Sequence, residues 1–161
     1  HDTQIPMPGD FVQAYMCETP VILSRGADGG VYANVNSCSH RGLPVCRVDH
    51  GNTKRFVCPY HNWAYSVEGD LVTIPQESEV AGKPDKSGLG LKRVPRVESW
   101  RGMIFGSFDE DIISLEAYLG DMRFYLDAFF ERFANYRREF SIDHQYFGFA
   151  VIENEFDSIR I

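Results

Sequence analysis

The sequence predicts a mainly β fold, an antiparallel sandwich or barrel, followed by a C-terminal helix. Three observations carry this. Short runs of β-branched and aromatic residues recur between Phe11 and Phe108, separated by Gly, Pro, Asn and Asp turn signals. At Ser114 the spacing of apolar residues changes from strand-like to helical. No internal repeat or low-complexity stretch interrupts the pattern.

In chain order, His1 to Gly9 reads as an irregular lead-in with Pro6 and Pro8. Phe11–Met16 and Val21–Arg25 read as strands around Glu18-Thr19-Pro20, and Asp28-Gly29-Gly30 signals a hairpin into Val31–Val35. Gly51-Asn52 reads as a turn, and Arg55–Val57 as a short strand. Trp63–Val67 and Leu71–Ile74 flank Glu68-Gly69-Asp70, another hairpin signal. Ile74 to Gly90 is polar and loop-like, with two further strands at Leu91–Val97 and Gly102–Phe108 and a turn near Ser99. Ser114 can cap a helix with Glu116 in its first turn, where the dipole favours negative charge. Leu115, Tyr118, Leu119, Met122, Tyr125, Leu126, Phe129, Phe130 and Phe133 recur at helical spacing, weakened locally by Gly120. Such a stripe is expected to face a core, and what the β domain leaves uncovered needs other protein. From Ala134 onward no clear period remains.

With 161 residues the chain can build one domain with a core and part of another, divided here as 1–113 and 114–161. A net charge of −7 argues against a nucleic-acid partner. No apolar run is long enough to span a bilayer, so no membrane partner is expected, and no secretory signal is visible.

The residues that promise chemistry lie between Cys38 and Trp63. Cys38-Ser39-His40-Arg41-Gly42 is followed, after His40, by 17 residues and then Cys58-Pro59-Tyr60-His61-Asn62-Trp63. In ligand terms this is C-x-H and C-x-x-H, one thiol and one imidazole from each of two loops. Residues two apart in an extended loop point the same way, so Cys38 and His40 can reach one site. Soft thiolates suit iron that is also bonded to sulfide. Imidazole leaves less negative charge on its iron than thiolate does and raises the potential of a 2Fe–2S cluster. The same four side chains could instead hold one tetrahedral zinc ion, or be unrelated buried thiols and surface histidines.

The flanking residues tilt the balance toward the cluster. Arg41-Gly42 after the first histidine, Pro59-Tyr60 before the second and Trp63 beyond it resemble the Rieske segment of aromatic-ring-hydroxylating dioxygenase large (alpha) subunits. Ile5-Pro6-x-Pro8-Gly9-Asp10-Phe11, Val97 to Gly106, and Tyr118 to Met122 with Tyr125-Leu126 are also similar to that family, so the likeness runs to about residue 133. Asn62 stands where many members have Gly, and Asn tolerates the left-handed backbone such a turn needs.

The resemblance implies a Rieske-type fold with two cluster-binding hairpin loops and a 2Fe–2S cluster, with Cys38 and Cys58 on one iron and His40 and His61 on the other. It implies electrons arriving from a ferredoxin or reductase and leaving for a mononuclear non-haem Fe(II), the site of aromatic-ring hydroxylation. Other alpha subunits in a trimer, and a beta subunit in some members, are the implied partners. The facial triad of that iron needs paired histidines. Only His1, His50 and His144 remain outside the motif, so the mononuclear site is expected to lie outside this chain, and the chain alone is expected not to be catalytically competent. Glu153-Asn154 only faintly matches the segment ahead of those ligands. Respiratory-type Rieske proteins carry an extra cysteine in each ligand loop, and Leu43 and Tyr60 stand at those places. No disulfide is therefore expected, Cys17 and Cys46 remain thiols, and a reducing cytoplasm fits. Trp63 and Tyr60 are expected to shield the cluster, and Arg41 to lie near it or near a neighbouring carboxylate. A free-standing Rieske ferredoxin is the alternative; such carriers end soon after the β domain.

Overall fold

The structure, a computed structural model, describes residues 1–77, 85–139 and 150–151. A 3-10 turn, Asp2–Gln4, leads into strands β1 (Asp10–Met16), β2 (Thr19–Arg25), β3 (Val31–Val35), β4 (His50–Asn52), β5 (Arg55–Val57), β6 (Ala64–Ser66) and β7 (Leu71–Thr73). Strands β8 (Arg96–Trp100) and β9 (Met103–Ser107) follow, then helices α1 (Leu115–Leu119) and α2 (Met122–Glu139) and a two-residue strand β10 (Ala150–Val151). Three sheets result, ordered β3-β2-β1-β4, β5-β6-β7 and β10-β9-β8. Every pairing is antiparallel except β10 with β9. The mainly β, antiparallel class expected from the sequence is the one observed.

Strand β2 is the spine. Its Val21, Ile22 and Leu23 are all buried, and alternate residues point to opposite faces. Val21 and Leu23 join a core with Ile5, Met16, Ala33, Val94 and Ile104. Ile22 joins a second core with Phe11, Phe56, Tyr65, Leu71 and both Cys38 and Cys58. One strand thus contributes to both cores, including the one that holds the motif cysteines. Each fully buried aliphatic side chain contributes about 1.5–3 kcal/mol.

Several local expectations need correction. Gly51-Asn52 is part of β4, not a turn: Gly51 pairs with Phe11, and a Cβ there would meet the Phe11 ring at 3.0 Å. Val94 is buried and residue 93 makes only a single bridge to Asn34, so the strand expected at Leu91–Val97 forms later, as β8. Its turn falls at Arg101-Gly102, with φ of 51° and 85°, beyond the predicted Ser99. The C-terminal helix is two helices. Ser114 caps α1 as expected, accepting from the Ala117 N–H, but Gly120 ends α1 at φ 45°.

Among the described stripe residues Leu115 is buried and Leu119, Leu126 and Phe130 are half-buried, so the expectation of a core-facing stripe holds in part. Tyr118, Met122, Tyr125 and Phe129 are 43–66% exposed. Helix α2 is tied to the β8–β9 turn by polar contacts instead: Trp100 Nε1 and Arg101 Nε both donate to Asp127 Oδ1, at 3.1 and 2.8 Å. His144, Glu153 and Asn154 lie outside the described residues, as does part of the loop expected from Ile74 to Gly90. The Phe133 side chain is likewise not described.

Candidate metal centre

Two six-residue turns, Cys38 to Leu43 and Cys58 to Trp63, have the same backbone design. In each, the cysteine N–H donates to the carbonyl five residues on: Cys38 to Leu43 and Cys58 to Trp63, both at 2.8 Å. In each, the residue four on donates back to the cysteine carbonyl: Gly42 at 2.7 Å and Asn62 at 2.9 Å. Both back-donating residues are left-handed, Gly42 at φ 75° and Asn62 at φ 58°. Glycine takes that backbone freely and asparagine tolerates it. Asn62 therefore completes in the second turn what Gly42 completes in the first.

The turns are mounted differently. The second caps the β5–β6 hairpin, where Val57 pairs with Ala64. The first leaves β3 and returns toward β4, and these two strands lie at opposite edges of their sheet. Its return limb meets β1 only at its far end, where the Gln13 N–H donates to the Asp49 carbonyl at 2.7 Å, and Val45 and Cys46 have no strand partner among the described elements. The Asn36 side chain stands in for one. Its Oδ1 accepts from the N–H groups of Val45 and Cys46 at 2.9 and 3.0 Å. Its Nδ2 donates to the Cys46 carbonyl at 2.7 Å and to Gln13 Oε1 at 2.9 Å.

The turns sort the four candidate ligands by kind. Cys38 and Cys58 are 3% and 2% exposed, and their thiols adjoin. His40 is exposed and His61 half-buried, with ring centroids 4.6 Å apart. Among the described residues, no three His, Cys, Asp or Glu side chains converge as one metal ion requires. A single tetrahedral zinc would need all four at one point. A binuclear group, with thiols on one metal and imidazoles on the other, fits two separate pairs.

The electrostatics suit each donor. Burial opposes charge on the Cys38 thiol, but the Tyr65 hydroxyl at 3.1 Å, the His40 and Arg41 backbone N–H groups and the Cys58 thiol hold it below the usual thiol range. Tyr65 is fully buried. Burial first, and Cys38 second, push its own ionisation well above the ordinary phenol value. It therefore stays a proton donor at every physiological pH. Its oxygen also accepts from the Ser39 N–H at 3.2 Å. Desolvation, then His40 and Arg41, push the His61 imidazole down, toward the neutral form that can bind a metal.

Trp63 stacks on His40 at 4.9 Å and 9°, and Tyr60 on His61 at 3.8 Å and 28°. The Arg41 guanidinium lies 5.9 Å from the Tyr60 ring centroid. These aromatics brace the imidazoles, and Tyr60 remains 56% exposed. On the other flank, Ser39 Oγ donates to the Gly90 carbonyl, tying the first turn to the segment before Leu91. Of the remaining histidines, His50 is an exposed β4 residue, and His1 bonds Thr3 and Arg101 in the N-terminal turn. Cys46 is buried, with its thiol on the Val48 carbonyl.

Three contributors escape a motif search: Tyr65, Asn36 and the Ser39–Gly90 tie. The only sequence signal for Tyr65 is chemical, since a buried phenol needs a hydrogen-bond partner.

Residues 1–95 match the Rieske 2Fe-2S domain family. Benzene 1,2-dioxygenase subunit alpha of Pseudomonas putida is 42% identical over 132 residues, 82% of this chain and 29% of the relative. The large oxygenase component of the naphthalene 1,2-dioxygenase system of Pseudomonas aeruginosa is 46% identical over 132 residues, 81% of this chain and 29% of the relative. A crystal structure of a naphthalene 1,2-dioxygenase variant bound to phenanthrene superposes with a TM-score of 0.76 at 46% identity, over 79% of this chain and 29% of that one. The chain thus spans 29% of the length of these relatives. No helix among the described residues is long and apolar enough to cross a membrane. The matching turns, the segregated thiol and imidazole pairs and the family match lead to one conclusion: this chain belongs to the Rieske 2Fe-2S domain family, and it is similar to the N-terminal region of ring-hydroxylating dioxygenase alpha subunits.

Proposed function

We propose that this chain is the electron-transfer part of an aromatic-ring-hydroxylating dioxygenase alpha subunit, with residues 1–113 as the Rieske domain and 114–161 as the start of the catalytic domain. Cys38 and Cys58 would hold the inner iron and His40 and His61 the outer one. The observation that carries the reading is the sorting of buried thiols from outward imidazoles by two turns of one design. When bound, a Rieske cluster supplies one-electron storage at a potential above that of an all-cysteine cluster.

The chain's own residues supply the rest. Tyr65 donates to the Cys38 sulfur and keeps its proton, so it stabilises added negative charge on that side. Trp63 and Tyr60 fix the imidazole planes by stacking. The outward imidazoles give the shortest exit toward an acceptor beyond this chain. In this reading a ferredoxin or reductase supplies the electron. A mononuclear non-haem iron receives it, in a trimer of alpha subunits, with or without a beta subunit, in the cytoplasm. The product chemistry belongs to aromatic hydrocarbon catabolism.

The likeness to alpha subunits covers 132 residues, whereas the Rieske match ends at residue 95. That surplus favours an alpha subunit over a free-standing ferredoxin. The test is iron and acid-labile sulfide analysis of the purified 161-residue chain, with the electron paramagnetic spectrum of the dithionite-reduced protein. Two irons, two sulfides and a paramagnetic signal that appears on one-electron reduction are expected. A folded, iron-free or zinc-loaded protein refutes the reading. The chain should also accept and donate one electron, and should form no hydroxylated product from aromatic substrates with reductant and oxygen.

A further inference from the structure

We propose that Asn36 is a positioning residue for the first ligand turn, serving through its side chain the role that a strand partner serves for the second. This rests on the cluster reading above. The second turn is closed at its base by the β5–β6 ladder. The first has β3 on one side, but β3 pairs with β2 and the return limb passes to β4 at the far edge of the sheet. Nothing in a ladder holds Val45 and Cys46 in register with Asn36. The carboxamide does it: two bonds accepted from Val45 and Cys46, one donated to the Cys46 carbonyl, and one donated to Gln13 on β1.

All four hydrogen-bonding positions of the amide are used, and the residue is 3% exposed. Asn36 stands two residues before Cys38, and Cys46 three residues after Leu43, where the turn's first bond ends. The carboxamide therefore clamps both feet of the segment that carries Cys38 and His40. Its backbone holds the limb as well, since the Asn36 N–H donates to the Pro20 carbonyl of β2 at 2.8 Å. The turn is thereby referred to the sheet on both sides, through β2 and through Gln13. A positioning role of this kind predicts that losing the amide misplaces two ligands while leaving the sheets intact.

The experiment uses the full chain with its cluster and four proteins: wild type, Asn36→Ala, Asn36→Asp and Leu23→Ala. Leu23 lies in the other core, so its variant loses stability without touching the turn. Asn36→Asp keeps the two bonds accepted from Val45 and Cys46. Three readouts are compared: hydrogen exchange of the Val45 and Cys46 amides, the g values of the reduced cluster, and the rate of iron release to a chelator. For Asn36→Ala, exchange at both amides and iron release should each accelerate at least about tenfold, with shifted g values. Asn36→Asp loses both donated bonds and sets a carboxylate oxygen against the Cys46 carbonyl, so only its Val45 and Cys46 amide exchange should lie nearer wild type than that of Asn36→Ala. Leu23→Ala should lower the unfolding temperature and leave the g values unchanged.

Wild-type g values and iron release in a folded Asn36→Ala protein overturn the inference. So does the same g shift in Leu23→Ala, which would make the effect one of general stability. If Asn36→Ala does not fold, Asn36→Asp and Gln13→Ala decide. Gln13→Ala removes one of the four bonds and also the Gln13 Nε2 bond to the Val48 carbonyl of the same limb, and both it and Asn36→Asp should accelerate iron release; no change in either protein overturns the proposal. A wild type without iron and sulfide refutes the cluster reading itself. An iron-loaded wild type with an insensitive Asn36 refutes only this inference.

Discussion

Replacing Tyr65 by Phe tests the electrostatics of the site with one atom. The ring is fully buried and packs in the same core as Cys38 and Cys58, so the Phe ring can occupy the same space. What is lost is an O–H 3.1 Å from the Cys38 sulfur and an acceptor 3.2 Å from the Ser39 N–H. A hydrogen bond to a charged group contributes about 1.5–3 kcal/mol. Part of that is present in both oxidation states, because the thiolate is anionic in each. The added electron strengthens the bond by a fraction, about 1 kcal/mol, and for a one-electron couple that converts to about 40 mV. Tyr65→Phe should therefore lower the midpoint potential by roughly 30–60 mV. The assay is a redox titration followed by visible circular dichroism, at matched ionic strength and pH 7. Thermal unfolding should fall modestly, since the Ser39 N–H is left without this acceptor. A midpoint equal to wild type within experimental error, or above it, would refute the argument, because a donor aimed at the sulfur cannot then be favouring the reduced state.

Three further outcomes follow from the geometry. Asn62→Gly should leave cluster retention near wild type, whereas Asn62→Ala should cost about 1 kcal/mol at its φ of 58°, read by thermal unfolding and iron release; equal behaviour of the two variants would contradict the shared turn design. Gly69→Ala should destabilise by several kcal/mol, because a Cβ there would sit 2.2 Å from Asn34 Oδ1 in a backbone at φ 101°, and Asn34 is 1% exposed; an unchanged unfolding midpoint would refute the contact. Hydrogen bonding by Arg101, ahead of Trp100 and the nearby charges, holds the Asp127 carboxyl below the usual carboxylate range. Its folded value is depressed, so its contribution is present above the unfolded value and lost as pH falls through the folded one; α2 docking should weaken only in acid, below about pH 4. Trp100 fluorescence, with Asp127→Asn as the control lacking the transition, checks this.

What the sequence made legible is what local chemistry dictates. The β2 run Val21-Ile22-Leu23 announces a strand because apolar β-formers in that number are buried on both faces. The four ligand candidates stand out because few structures need two thiols and two imidazoles at such spacing. The break at Gly120 and the late start of β8 were not legible. Both depend on where neighbouring elements end: Gly120 could sit inside a helix, and Leu91–Val97 has strand composition. Tertiary contacts decide them, through the Arg123–Glu116 and Trp100–Asp127 contacts and through the single Asn34–Arg93 bridge. Gly51 misled for the opposite reason. Its turn propensity is overridden by pairing with Phe11 in β1, where a Cβ would crowd the ring at 3.0 Å.

The same distinction separates the ligands from the residues that place them. A ligand must carry a particular atom, so its identity is visible in the letter. A placing residue needs only to satisfy backbone groups that something else has left open, and which groups those are depends on topology. Loop two inherits its support from a hairpin, through the backbone pairing of Val57 with Ala64. Loop one crosses from one edge of the sheet to the other, so its limb must borrow a partner, and the carboxamide of Asn36 supplies donor and acceptor at once. A serine hydroxyl has one donor and an ionised aspartate has none, so neither can make the two donated and two accepted bonds at once. In the proposed cluster, the asymmetry of sulfur on one side and nitrogen on the other is laid over a second asymmetry in the scaffold. The two turns have the same internal hydrogen bonds but differ in how their bases are held, so perturbations at the two bases should not be interchangeable.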